Sequence, residues 1–198
     1  HNKTTKMKST ILLLSLLLPL AIFAQGTALS QAEKNALAYM REEEKLARDV
    51  YDSMFRKWDV NPFGNIRQSE RVHMERMKNL LDTYGLADPV TANKDLAGKF
   101  SDPVLQKYYD ELIRLGTLSL ADALKAGARI EELDIADLEE RMALTNHPDI
   151  IAQFNYLKMG SENHLRAFTR RLRTNGIIYV PVILTKKKFD EIIAGDNH

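Results

Sequence analysis

The sequence predicts an all-α protein built on four long helices, with a long crossover between the second and third and a short extended C-terminal tail. Three observations carry this prediction. Apolar residues recur at i, i+3, i+4 and i+7 through four long stretches of the chain. Helix punctuation stands at their ends, at Asn61-Pro62, Gly85, Gly116, Pro148 and Asn175-Gly176. The connections after the first and third stretches are short, whereas the one between the second and third is long, a connectivity that brackets two antiparallel helix pairs.

The first 24 residues stand apart from this pattern. Lys3, Lys6 and Lys8 precede a charge-free, mainly apolar run from Ile11 to Phe23 that ends in Ala24 and Gln25. This is the layout of a secretory signal peptide, expected at residues 1–24 with the helical domain occupying 25–198. The run falls short of the ~20 residues that a membrane-spanning helix needs, so no permanent membrane anchor is expected. No Cys follows it to carry a lipid. The expected location is periplasmic or secreted.

The first long helix is expected from Ser30, because Ser30 and Glu33 have capping-box spacing, to about Trp58. The second follows Pro62 and Phe63 and stops at Tyr84-Gly85, where glycine supplies a left-handed cap. Residues 86–100 carry Pro, Gly, Asn and Asp without helical periodicity, and Asp102-Pro103 then opens a short helix ending near Gly116. Ser119 caps a third long helix reaching about Leu144, and Pro148 opens a fourth that stops at Asn175-Gly176. Ile177 to Ile183 is β-branched and contains Pro181, which reads as an extended segment laid on the helices; a short helix follows near Lys186 to Ile193.

Charge and cysteine content exclude several kinds of chemistry. The chain has 28 basic and 27 acidic residues, and loss of the three leader lysines would leave 25 against 27. Such a balance gives no electrostatic footprint for nucleic acid. The absence of Cys excludes thiolate metal ligands, iron–sulfur clusters and cysteine nucleophiles. Any metal must be held by oxygen and nitrogen.

The polar residues inside the apolar stripes are the candidates for that task. At 100° per residue, Leu37, Met40, Tyr51, Phe55 and Trp58 all fall within about 40° of Glu44. Glu70 is likewise flanked by Phe63, Ile66, Met74, Met77 and Leu81, and His73 lies one turn on. Leu120, Leu124, Leu138 and Met142 surround Glu131, while Ile150, Leu157 and Phe168 flank His164. For any single one of these carboxylates an exposed position, or an ion pair with Arg48, Arg71 or Arg166, is an equal alternative. Three buried together without a cation would cost several kcal/mol each, and a divalent ion removes that conflict.

Glu, Glu-x-x-His, Glu and His on four successive helices is the order in which di-iron carboxylate proteins assemble their site. The segments 37–51, 69–73, 126–138 and 160–168 carry a resemblance to the ferritin-like superfamily of rubrerythrin type, and most closely to a family of bacterial and archaeal ferritin-like proteins of undefined function. Glu44, Ala47 and Tyr51 match the Glu-x-x-Ala-x-x-x-Tyr spacing of rubrerythrin-type first helices, which favours Glu44 over Glu42 and Glu43; Glu70 and His73 match the second-helix motif. The superfamily usually offers Glu-x-x-His on the fourth helix, yet Ser161 stands three residues before His164. Asp134, one turn after Glu131, is the best replacement, although an Asp there is equally compatible with solvation. Whether Glu131 or Glu132 serves as third-helix ligand stays open.

The expected metal ligands are therefore Glu44, Glu70, His73, Glu131, Asp134 and His164, holding one or two iron ions, with manganese as the alternative. Glu70 or Glu131 would bridge two ions. The resemblance implies oxygen- or peroxide-linked redox chemistry of ferroxidase or peroxidase type; no catalytic side chain is assigned. The rival expectation is a non-catalytic interaction module, or a metal buffer, that keeps a vestigial site. A homo-oligomer is compatible with either. Tyr51 is expected as a core residue first, and as a hydrogen-bond donor to a ligand or a radical trap second. His147 is expected exposed in a turn, Met40, Met74, Met77 and Met142 as packing residues, and Lys186 to Lys188 as a solvated face.

Overall fold

In the computed structural model, residues 28–195 are described, and the expected signal peptide lies outside them. Among the described residues there are seven α-helices and no strand: α1 (Gln31–Trp58), α2 (Phe63–Thr83), α3 (Pro89–Ala92), α4 (Pro103–Gly116), α5 (Leu120–Met142), α6 (Pro148–Thr174) and α7 (Lys186–Ala194). The four long helices pack as a bundle, α1 along α2 and α5 along α6, with α1 against α5 and α2 against α6 joining the pairs. The short α4 lies on α1 and α5.

The helix ends follow from local chemistry. Ser30 Oγ accepts from Glu33 N at 3.2 Å while the Glu33 carboxylate accepts from Ser30 N at 2.7 Å, which satisfies amides that the first turn leaves free. Gly85 (φ +63°) and Gly176 (φ +75°) close α2 and α6 in left-handed backbone. In both, the next residue's N–H reaches back to a last-turn carbonyl, Leu86 to Leu81 and Ile177 to Leu172. One element departs from expectation. Residues 89–92 form a single helical turn in a stretch without periodicity, because Asp88 accepts from Val90 N and Pro89 fixes the first φ. A single turn is too short to generate a repeat.

Ion pairs and caps tie α2 and the segment between α2 and α5 to α1. Arg41 reaches Asp88 and the Met74 carbonyl, and the wholly buried Lys45 binds Asp49 and the Leu96 carbonyl beneath the Phe100 ring. Glu42 accepts from the backbone amides of Ser101 and Asp102 at 2.5 and 3.0 Å, anchoring the start of α4. The apolar core falls into two clusters. One gathers Tyr51, Phe63 and Phe168, the other Leu37, Met40, Met77, Leu81 and Phe154. Between them, on α1, α2, α5 and α6, lies a layer of polar side chains.

Candidate metal centre

That layer brings together five of the six expected ligands. Ligand atoms of Glu44, Glu70 and His73 lie within 4.8 Å of one another, as do those of Glu70, Glu131 and His164. Glu70 belongs to both sets. Its Oε2 is 2.9 Å from His73 Nδ1 and its Oε1 is 2.9 Å from His164 Nδ1, so one carboxylate faces both rings. Glu44 Oε2 is 3.2 Å from His73 Nδ1, and Glu131 Oε2 is 3.4 Å from His164 Nδ1. The imidazoles stack at 5.5 Å between centroids. All five residues are buried.

Each helix turn positions its side chain for a physical reason. The i,i+3 spacing of Glu70 and His73 aims both from one face of α2. Gly160 on α6 makes room for the ring, since a Cβ there would lie 2.6 Å from His73 Cε1 and Nε2. Ser69 Oγ sits 3.0 Å from His164 Nε2, which turns Nδ1 inward. Tyr51 O–H donates to Glu131 Oε1 at 2.5 Å and orients that carboxylate. Tyr51 in turn packs against Phe63 and Phe168. Gly160 and Ser69 carry no sequence signal of their own, because a small residue announces its role only once its neighbour is known.

Asp134 is buried in the same layer but falls outside both ligand sets. Ser161 Oγ donates to Asp134 Oδ2, so the serine standing at the missing carboxylate's position is engaged with the proposed substitute. Asp134 Oδ1 has no hydrogen-bond partner. Of Glu131 and Glu132, only Glu131 falls in a ligand set. Glu132 points to the tail, accepting from Tyr179 O–H at 2.6 Å and from the amides of Val182, Ile183 and Leu184. His147 also differs from expectation: it is half-buried, edge-on to Tyr84 and 3.7 Å from Glu33. Lys188 is half-buried and bonds Glu139, whereas Lys186 and Lys187 are exposed.

Among the described residues the centre's carboxylates are compensated by its own two histidines alone. Among the described residues no lysine or arginine forms an ion pair with Glu44, Glu70, Glu131 or Asp134. Arg48 pairs with Asp49 and Asp95, Arg71 with Asp52, and Arg166 bonds the Ile192 carbonyl. Burial pushes Glu44 up to about 7 despite the neighbouring His73. Burial, followed by the charge of Glu44, holds Asp134 well above the usual carboxylate range. For Glu70 burial acts upward, but the charges of His164 and His73 outweigh it and keep the carboxylate ionised. Burial lowers both histidines, yet Glu70 prevails, assisted by Glu44 at His73 and by Glu131 at His164, which rises to about 10.

The residues present fit a metal. Glu44 Oε1, Glu70 Oε1 and His164 Nδ1 are buried without a hydrogen bond, although the last two are only 2.9 Å apart. A divalent ion that displaces the imidazole protons would find these atoms free to ligate it. Carboxylate and imidazole together suit first-row divalent ions.

Comparison with known proteins supplies a family without a function. The chain is 46% identical over 169 residues to the uncharacterized protein MJ0754 of Methanocaldococcus jannaschii, covering 85% of this chain and 90% of that protein. It matches the crystal structure of the hypothetical protein MJ0754 with a TM-score of 0.84 at 44% identity, over 87% of this chain and 98% of the other. A family model described as an uncharacterized protein domain, DUF2202, matches residues 33–196. On that span, which takes in all seven helices but the first two residues of α1, the chain belongs to the DUF2202 family.

Proposed function

We propose that the chain is an exported, ferritin-like metal-binding protein that holds iron in one or two positions between its four long helices, with manganese as the alternative ion. The observation that carries this reading is the sharing of Glu70 by two ligand sets, each completed by a second carboxylate and its own histidine. Export rests on the leader pattern of Lys3, Lys6 and Lys8 before the run at 11–23. Bound iron would supply one-electron redox chemistry toward oxygen or peroxide.

The chain's own residues bind, orient and exclude water. Glu70 would serve both positions, one held with Glu44 and His73 and the other with Glu131 and His164. Tyr51 holds Glu131 through its hydroxyl, and Ser69 holds His164 through the far ring nitrogen. The apolar clusters on either side shut water out, which strengthens every charge interaction in the layer.

Anaerobic loading of the metal-free protein with Fe(II), followed by elemental analysis and by oxygen or peroxide consumption, tests the reading. One or two iron ions per chain with consumption above that of free iron is the expected result. Retained iron without turnover reduces the function to metal binding, and no retained metal removes it.

A further inference from the structure

The tail between α6 and α7 is anchored through one side and turns an apolar face outward on the other. Exposure alternates along it: Ile177, Tyr179 and Pro181 are half-buried, while Ile178, Val180 and Val182 are 85%, 67% and 64% exposed. The anchoring is accounted for. Ile177 and Tyr179 pack against the core, Tyr179 beside Phe189, and Glu132 holds the Tyr179 hydroxyl and the amides of Val182, Ile183 and Leu184. Successive side chains of an extended segment point to opposite sides, so the outward set is free to be polar. Here it is three β-branched apolar residues, which the anchoring does not require. A contiguous exposed apolar face of this kind marks a binding surface.

Ile178, Val180 and Val182 line a groove of about 460 Å³ together with Leu115 of α4 and Lys125 and Arg129 of α5. Its size and mainly apolar lining are those of small-molecule sites, which run from ~300 to ~1,000 Å³. Among the described residues no acidic side chain lines it, so the two bases give the groove a positive edge. They are not equivalent. Arg129 is engaged, donating to Glu111 at 2.9 Å and covering the Tyr108 ring at 4.9 Å. Lys125 is exposed and approaches Asp122 only to 3.7 Å, while the other carboxylate oxygen of Asp122 accepts from the Ser119 hydroxyl at 2.7 Å. An exposed pair at that distance is weak, which leaves the ammonium available on its flexible stem.

We propose that this groove binds a medium-chain fatty acid, with the aliphatic chain along Ile178, Val180, Val182 and Leu115 and the carboxylate on the Lys125 ammonium. Charge selects the occupant. One available ammonium matches a head of single negative charge, and the apolar remainder of the lining matches a chain without polar groups, whose burial there would cost free energy. A volume toward the lower end of the small-molecule range suits one aliphatic chain. A second copy of the protein would bring the same positive edge to the groove, and like charges oppose that pairing. The site shares no residue with the Glu70-centred ligands and does not depend on their holding a metal.

Calorimetric titration of the full-length protein with decanoate, below the concentration at which it forms micelles, tests the site beside decanol and acetate. Decanoate should bind once per chain, decanol severalfold more weakly for want of a charge, and acetate not measurably for want of a chain. Lys125→Gln should lower decanoate affinity to that of decanol and leave decanol unchanged. Val180→Asp should weaken both, with metal content at the wild-type level in each variant. Equal decanoate binding in wild type and both variants puts the amphiphile elsewhere, the apolar run at 11–23 included, and overturns the site. Equal affinity of wild type for decanoate and decanol overturns it as well. Self-association of wild type that Val180→Asp abolishes, with no decanoate bound, assigns the face to a second copy instead. Binding to phosphatidylcholine vesicles without binding of free decanoate assigns it to a membrane surface, and either result overturns the proposal. Should Val180→Asp fail to fold by far-ultraviolet dichroism, Val182→Asp is read by the same outcomes.

Discussion

Glu70 is the residue on which both ligand sets depend, whereas His73 and His164 each belong to one. Glu70→Ala is therefore expected to abolish tight metal binding, and His73→Ala to remove one class of ion and spare the other, with helical content unchanged in both. Metal content by mass spectrometry checks this. Equal content in wild type and both variants would end the account. Ser161 offers a sharper probe. It is 1% exposed and already donates to Asp134, so Ser161→Glu brings a second carboxylate against a buried acid. The metal-free variant should lose about 1–3 kcal/mol from overpacking alone. Metal should recover part of that loss, giving a larger rise in melting temperature on loading than wild type shows. A loss of stability that loading leaves untouched would mean that the new carboxylate does not reach an ion.

At the scale of elements, the caps and breakers made the helix order legible: Ser30 with Glu33, Pro62, Gly85, Ser119, Pro148 and Gly176 all mark the ends they predict. Glu44, Glu70, Glu131 and His164 were legible for another reason, since a charge in mid-stripe breaks the apolar period that surrounds it. Glu43 and Glu132 were not. Each stands beside another glutamate, about 100° around the helix, and periodicity alone does not say whether that second direction meets solvent, a tail or another helix. Here Glu132 meets the tail. It alone gathers the amides of Val182, Ile183 and Leu184 and the Tyr179 hydroxyl, so Glu132→Ala removes the charged acceptor of several part-buried hydrogen bonds, of a kind worth about 1.5–3 kcal/mol each. The expected result is a destabilisation of about 3 kcal/mol or more, with amide exchange accelerated across residues 178–184. Metal content should stay at the wild-type level, and a fall would place Glu132 in the centre after all.

For the molecule as a whole, the polar layer is a cost that a metal ion offsets. Without metal, the two histidines carry protons and pair with Glu70, which is a compromise between burial and charge. Both have folded-state pKa values raised above the ordinary value near 6.5, His164 to about 10, so their contribution to metal-free stability is full below that ordinary value. It declines as pH rises toward the folded values. Metal binding runs the other way, because an ion must displace the protons from both imidazoles and from Glu44, which burial holds up to about 7. Affinity therefore climbs with pH as the metal-free form weakens. Because an ion that binds only the folded chain stabilises it by mass action, the gap in melting temperature between metal-loaded and chelated protein should widen from pH 6 to pH 8. Thermal melts at fixed free metal across that range check the sign. A gap that narrows with rising pH would mean that protons do not compete at the imidazoles, and the ions would then have to sit on carboxylates alone.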